Sequence, residues 1–154
     1  MGCIGIASVA AALLVLGIVG CGGGGGSTST AASAKADFLK KGNEICRKGN
    51  QKLAVANKQA FSAYIRSGSK APPAKVRNYV TTTLIPDVQS QVDQLRALPV
   101  PPGDEAAVKR IIDTAQKDVN AVKTNPDLLV KNQPAFKDAN ELAKAYGLTV
   151  CASG

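Results

Sequence analysis

Phe38, Gly42, Ile45, Gly49, Leu53, Ala56, Ala60 and Ala63 follow one another at steps of three and four residues. That spacing puts all eight on one side of a helix and does not fit the two-residue alternation of a half-buried strand. It predicts one long helix from about Ala34 to Arg66. Within it, Lys41-Gly42-Asn43-Glu44 and Lys48-Gly49-Asn50-Gln51 echo each other seven residues apart, and Asn57 continues the asparagine position. A seven-residue echo implies packing against a neighbouring helix. An interior glycine costs a helix about 1 kcal/mol relative to alanine, so Gly42 and Gly49 mark places where that neighbour comes close. Asn43, Asn50 and Asn57 border the stripe, where they either fix helix register or hydrogen-bond a small ligand.

The helical pattern continues downstream. Ser67-Gly68-Ser69-Lys70-Ala71-Pro72-Pro73 breaks the first helix, and Pro72 or Pro73 suits the first turn of the next. Val76, Val80, Leu84, Val88, Val92 and Leu95 line a second helix to about Leu98. A kink is expected at Pro86, whose ring blocks the hydrogen bond to the Thr82 carbonyl. After a stiff turn from Pro99 to Gly103, Asp104 and Glu105 open a third helix, where the dipole favours acids. Its stripe is Val108, Ile111, Ala115, Val119 and Val122, and Asn125-Pro126 ends it. A short turn over Asp127 to Val130 leads to Pro134, which opens a fourth helix carrying Phe136, Ala139, Ala143 and Tyr146. Gly147 suits a left-handed C-cap, with Leu148 as the hydrophobic residue after it. The segment 35–154, roughly 120 residues, is the size of one domain with one core. The expected fold is all-α, a four-helix, mostly antiparallel bundle.

Upstream of this domain, Ile4 to Val19 is a mainly apolar run of 16 residues ending in Ile18-Val19-Gly20-Cys21, with five glycines immediately after. The junction resembles the lipobox of bacterial lipoproteins. That resemblance implies a signal peptide over residues 1–20, cleavage after Gly20, and a diacylglycerol on the thiol of Cys21. Met1-Gly2-Cys3 contributes only the α-amino charge where such signals carry a positive n-region. The alternative is an uncleaved membrane anchor, which needs about 20 apolar residues. Either way Ser27 onward lies outside the cytoplasm. Residues 21–34, rich in Gly, Ser and Thr and uncharged, read as a flexible tether with an r.m.s. length near 20 Å.

The chain has four cysteines, Cys3, Cys21, Cys46 and Cys151. If Cys3 leaves with the signal and Cys21 is acylated, Cys46 and Cys151 remain in an oxidising compartment, where they are expected to pair. The alternative is two buried free thiols. A bridge closing a loop of about 100 residues is worth about 4–5 kcal/mol on chain entropy, and it would staple the C-terminal tail to the first helix. The lipobox, the Asn43-Glu44-Ile45-Cys46 segment, the Leu98-Pro99 turn into Pro102-Gly103-Asp104-Glu105, and the ending Ala145-Tyr146-Gly147-Leu148-Thr149-Val150-Cys151 together resemble small helical lipoproteins of unknown function from actinobacteria. The resemblance implies a helical fold and a location on the outer face of the cell membrane, and no activity.

Histidine is absent from the sequence, which removes the commonest general base, the usual catalytic triads and most zinc sites. Ser67-Gly68-Ser69-Lys70 matches Ser-x-x-Lys, but it sits in a Gly/Pro turn without the partner motifs of penicillin-binding enzymes. Asp104, Glu105, Asp113 and Asp118 fit helix-start charge and solvated helix surface better than paired catalytic or calcium-binding carboxylates. A non-enzymatic role with no cofactor and no metal is the reading that remains. The charge is uneven: Lys35 to Arg77 carries a balance of +9, and Asn78 onward a balance of −1. At 100° per residue, Lys40, Lys41, Arg47, Lys48, Lys52, Lys58 and Arg66 fall on the side of the first helix away from the apolar stripe. They form either an ordinary solvated face or an attachment surface for a polyanion, anionic lipid or acidic wall polymer. Nucleic acid is not an expected partner of an exported, aromatic-poor chain. Two functions are therefore expected from the sequence: a lipid-anchored, non-catalytic interaction module, or alternatively small-solute capture in the bundle core. A core cavity of about 300 Å³ or more would favour the second.

Overall fold

A computed structural model of the chain describes residues 26–131 and 134–153. The expected signal segment 1–20, Cys21 and the first part of the expected tether lie outside the described residues. Every regular element among the described residues is helical: α1 (Gly26–Ser67), α2 (Pro73–Tyr79), a π-helical turn (Val80–Leu84), α3 (Ile85–Arg96), α4 (Glu105–Thr124), α5 (Asp127–Val130), α6 (Lys137–Tyr146) and a 3₁₀ turn (Cys151–Ser153). α1 begins at Gly26, ahead of the expected start near Ala34, so residues 26–34 are helix where the sequence suggested tether. Ala31, Ala32 and Ala34 supply the reason, alanine being the strongest helix former.

At the expected kink, what the structure has is a π turn just before Pro86. Val76, Val80, Leu84, Val88 and Val92 recur every four residues, and in a helix of 3.6 residues per turn such a row drifts by 40° at each step. Widening one turn absorbs part of that drift and brings Ile85, which the stripe had omitted, into the core with Val80 and Val92. Widening also relieves the carbonyls that face the ring of Pro86. The hydroxyls of Thr81 and Thr82 donate to the Asn78 carbonyl at 3.0 and 2.8 Å, a local back-bonding known to bend helices.

Residue pairings give the helix directions. Gly42 of α1 meets Leu95 of α3, and Lys52 of α1 meets Asp87 of α3, so these helices run oppositely. Asp104 at the start of α4 meets Tyr146 at the end of α6. Gln89 of α3 and Gln116 of α4 exchange side-chain hydrogen bonds at 2.9 Å in both directions. Phe38, Val80, Ile85, Val92, Val108, Ile111, Val119, Val122 and Leu148 fill the core between them. Gly147 ends α6 at φ 108°, and the Leu148 N–H donates to the Ala143 carbonyl at 2.8 Å, which is a Schellman closure around a glycine that needs no Cβ. That turn drops Leu148 into the core, 1% exposed.

Candidate functional site

The tail that follows Gly147 is tied along α1. Cys46 and Cys151 form a disulfide with their Cα atoms 5.0 Å apart, as cysteine parity suggested. Asn43 donates to the Gly147 carbonyl at 3.1 Å and accepts from the Val150 N–H at 2.9 Å; Asn50 donates to the Val150 carbonyl at 3.2 Å. Both asparagines therefore satisfy tail backbone that would otherwise be left without partners near the core. Asn57, the third in the row, is exposed. A Cβ on Gly42 would come within 2.6 Å of Leu148 and 3.2 Å of Leu95, and one on Gly49 would overlap Gln91, which accounts for both glycines as close-approach positions.

The seven cations singled out on α1 are all exposed, and they divide into two sets. Arg47 and Lys48 both reach Glu44 along the helix, and Lys52 contacts Asp87 at 2.8 Å. Asp87 is 5% exposed and also accepts from Gln91 at 2.9 Å; a buried carboxylate requires such a partner, so Lys52 has a structural task that its spacing did not reveal. Lys40, Lys41, Lys58 and Arg66 make no ion pair among the described residues. No Asp or Glu occurs between Glu44 and Asp87 in the sequence, which leaves the second half of α1 and the turn after it with cations and no neighbouring acid along the chain.

The acids occupy varied positions. Asp104 accepts from the Tyr146 hydroxyl at 2.7 Å and pairs with Lys35 at 3.1 Å. Those contacts, the tyrosine first, hold its carboxyl below the usual range, while burial and the neighbouring Asp104 push the Tyr146 phenol up. Asp113 pairs with Lys109 on the surface of α4. Asp118 is half-buried, not on solvated surface as expected; burial, then the charge of Asp138, pushes its carboxyl up, and its Oδ2 has no hydrogen-bond partner among the described residues. Ser67 and Ser69 share a hydrogen bond of 2.6 Å in an exposed turn. No three His, Cys, Asp or Glu side chains come together in a metal-binding group among the described residues, and no described helix is long and apolar enough to cross a membrane.

Two hollows differ in kind. The space at the core, among Val92, Ile111, Phe136, Ala143 and Leu148, holds about 80 Å³. A more open one lies at the far end of α1, between Phe61, Tyr64 and Ile65 on one side and Val76, Tyr79 and Leu84 on the other, with a volume of about 390 Å³. Tyr79 forms its inner wall: its ring meets Phe61 edge-on at 5.1 Å and its hydroxyl donates to the Leu53 carbonyl at 3.2 Å. The groove is not signalled by the apolar stripe that begins at Phe38, because Phe61, Tyr64 and Ile65 lie off it. Comparison of the chain with known protein families, with curated proteins and with solved structures gives no match.

Proposed function

We propose that the chain is a lipid-anchored, non-catalytic interaction module on the outer face of a bacterial cell membrane, cut after Gly20 and acylated on Cys21. Its helices α1, α2 with α3, α4 and α6 are read as a four-helix, mostly antiparallel bundle, a reading supported by the opposed pairings of α1 with α3 and of α4 with α6. Pairing of Cys46 with Cys151 supports export, because such bonds persist in oxidising compartments. The alternative of solute capture in the core is disfavoured by its volume of about 80 Å³, well short of the roughly 300 Å³ of small-molecule sites.

The observation that carries the binding role is the exposure of all seven α1 cations, four of them without an ion pair among the described residues. The proposed partner is a polyanion, anionic lipid or acidic wall polymer. Intact mass of the protein from cell envelopes tests the anchor: a diacylated chain beginning at Cys21 is expected, and retention of residues 1–20 refutes it. Binding is tested by sedimenting the protein, anchored in neutral vesicles, with added anionic lipid or purified wall polymer. Association is expected at low salt and not at 1 M, where the Debye length falls to about 3 Å. Replacing Lys40, Lys41, Lys58 and Arg66 by Glu should abolish it, and no association at low salt returns the face to ordinary solvated surface.

A further inference from the structure

The groove at the far end of α1 has features that a packing defect would not combine. Its walls are mostly apolar, it is an open surface groove of about 390 Å³ formed by two elements, and Ile65 stands at its edge 64% exposed. Its polar groups, Asn57, Ser69 and the Tyr64 and Tyr79 hydroxyls, are few and uncharged. One lysine meets a lining ring and two more are close along the chain. Lys75 lies 5.9 Å from the centre of the Tyr64 ring, Lys70 is in the turn between Ser69 and Ala71, which line the groove, and Lys58 is two helical turns before Ile65 on the same face of α1. None of these three lysines has an ion pair among the described residues, and no acidic residue lines the groove.

An apolar slot with a one-signed polar rim is complementary to a molecule with an apolar chain and an anionic head. We infer that the groove between α1 and α2 binds a single-chain anionic amphiphile, its acyl chain between Phe61, Ile65, Val76 and Leu84 and its carboxylate or phosphate head at Lys70 and Lys75. Neutral chains lose the head contact, and cationic ones are repelled. The inference differs from the polyanion reading in where the head is held, since Lys70 and Lys75 lie outside α1, although Lys58 belongs to both surfaces.

The chain's three tyrosines make the test direct, because Tyr64 and Tyr79 line the groove while Tyr146 sits with Phe38 at the other end of α1. The full chain, labelled with ¹³C-tyrosine and held in neutral phosphatidylcholine nanodiscs, is titrated with decanoate below its micellar range. Saturable shifts of the Tyr64 and Tyr79 rings are expected, with Tyr146 unmoved. Lys70→Glu with Lys75→Glu should raise the half-saturation concentration by at least about thirtyfold, the scale expected from losing two near-surface charges. Ile65→Asp, at an exposed position that leaves folding intact, should weaken the shifts as well. Equal shifts from decyltrimethylammonium, parallel movement of Tyr146, or no saturable response overturns the inference. So does a response seen only when the nanodiscs themselves contain anionic lipid, which would assign the end of α1 to a bilayer surface.

Discussion

Between Phe38 and Leu53, α1 is bound to α3 and to the C-terminal tail by a disulfide, two asparagines, a buried carboxylate with its lysine, and a glycine contact with the core. Between Ala54 and Ser67 the same helix meets α2 and the π turn mainly through Phe61 and Tyr79, and it leaves Val55 and Ile65 58% and 64% exposed. Length explains part of this contrast. A helix of 42 residues spans about 63 Å, more than the 10 residues of α6 and the returning tail can cover. The lesson is that one unbroken helix can be a rigid strut at one end and thinly covered at the other, and ligand sites are drawn from the less stable parts of a fold.

Cutting the staple should blur the difference most. Cys46→Ser with Cys151→Ser opens a bridge of sequence separation 105, and the expected loss is about 4–5 kcal/mol, read by denaturant unfolding. Gly42→Ala comes next. Its Cβ would press on Leu148 and Leu95, both buried, and overpacking of this kind costs about 1–3 kcal/mol. Gly49→Ala should cost a comparable amount, because its Cβ would displace Gln91 from Cγ outward and with it the hydrogen bond to the buried Asp87.

A smaller effect should come from Asp104, which links the stapled end of α1 to α4 and α6. Its carboxyl is held below its usual range in the fold, by Tyr146 and then Lys35, so the stabilisation is present above the ordinary carboxylate range and lost as pH falls through the folded value. Asp104→Asn should therefore lower the melting temperature near pH 7, and the gap from the parent chain should close as pH falls below about 4. Smallest of all, Ile65→Ala should change stability by no more than about 0.5 kcal/mol, because the side chain is already exposed.

Where volume and spacing coincide, the sequence was legible: Val108, Ile111, Val119 and Val122 lie on the buried face of α4 as the three-and-four spacing required, and Cys46 and Cys151 are bonded. Asn43 and Asn50 were recognisable as border positions, but their partners, Gly147 and Val150, are about a hundred residues away, and no local pattern encodes that. The stripe on α1 misled beyond Leu53. Ala56 and Ala60 keep the spacing but are only half-buried, and Ala63 is exposed, because alanine fits the core and the surface alike. The π turn and the burial of Ile85 and Asp87 escaped for a related reason: a fixed 100° per residue cannot represent a turn that widens. The groove depends on the return of α2 against α1, a tertiary event that residues 57–65 do not announce.

The claim that α1 is divided into a held half and an open half is tested most directly by amide hydrogen exchange along that one helix. In the oxidised, unliganded protein, amides from Phe38 to Leu53 should exchange only through global unfolding, while those from Asn57 to Arg66 should open at a free energy lower by at least about 1 kcal/mol. Reducing the disulfide should bring the first set down toward the second. Uniform protection from Phe38 to Arg66, unchanged on reduction, would contradict the division and with it the account of the far end as a surface for binding.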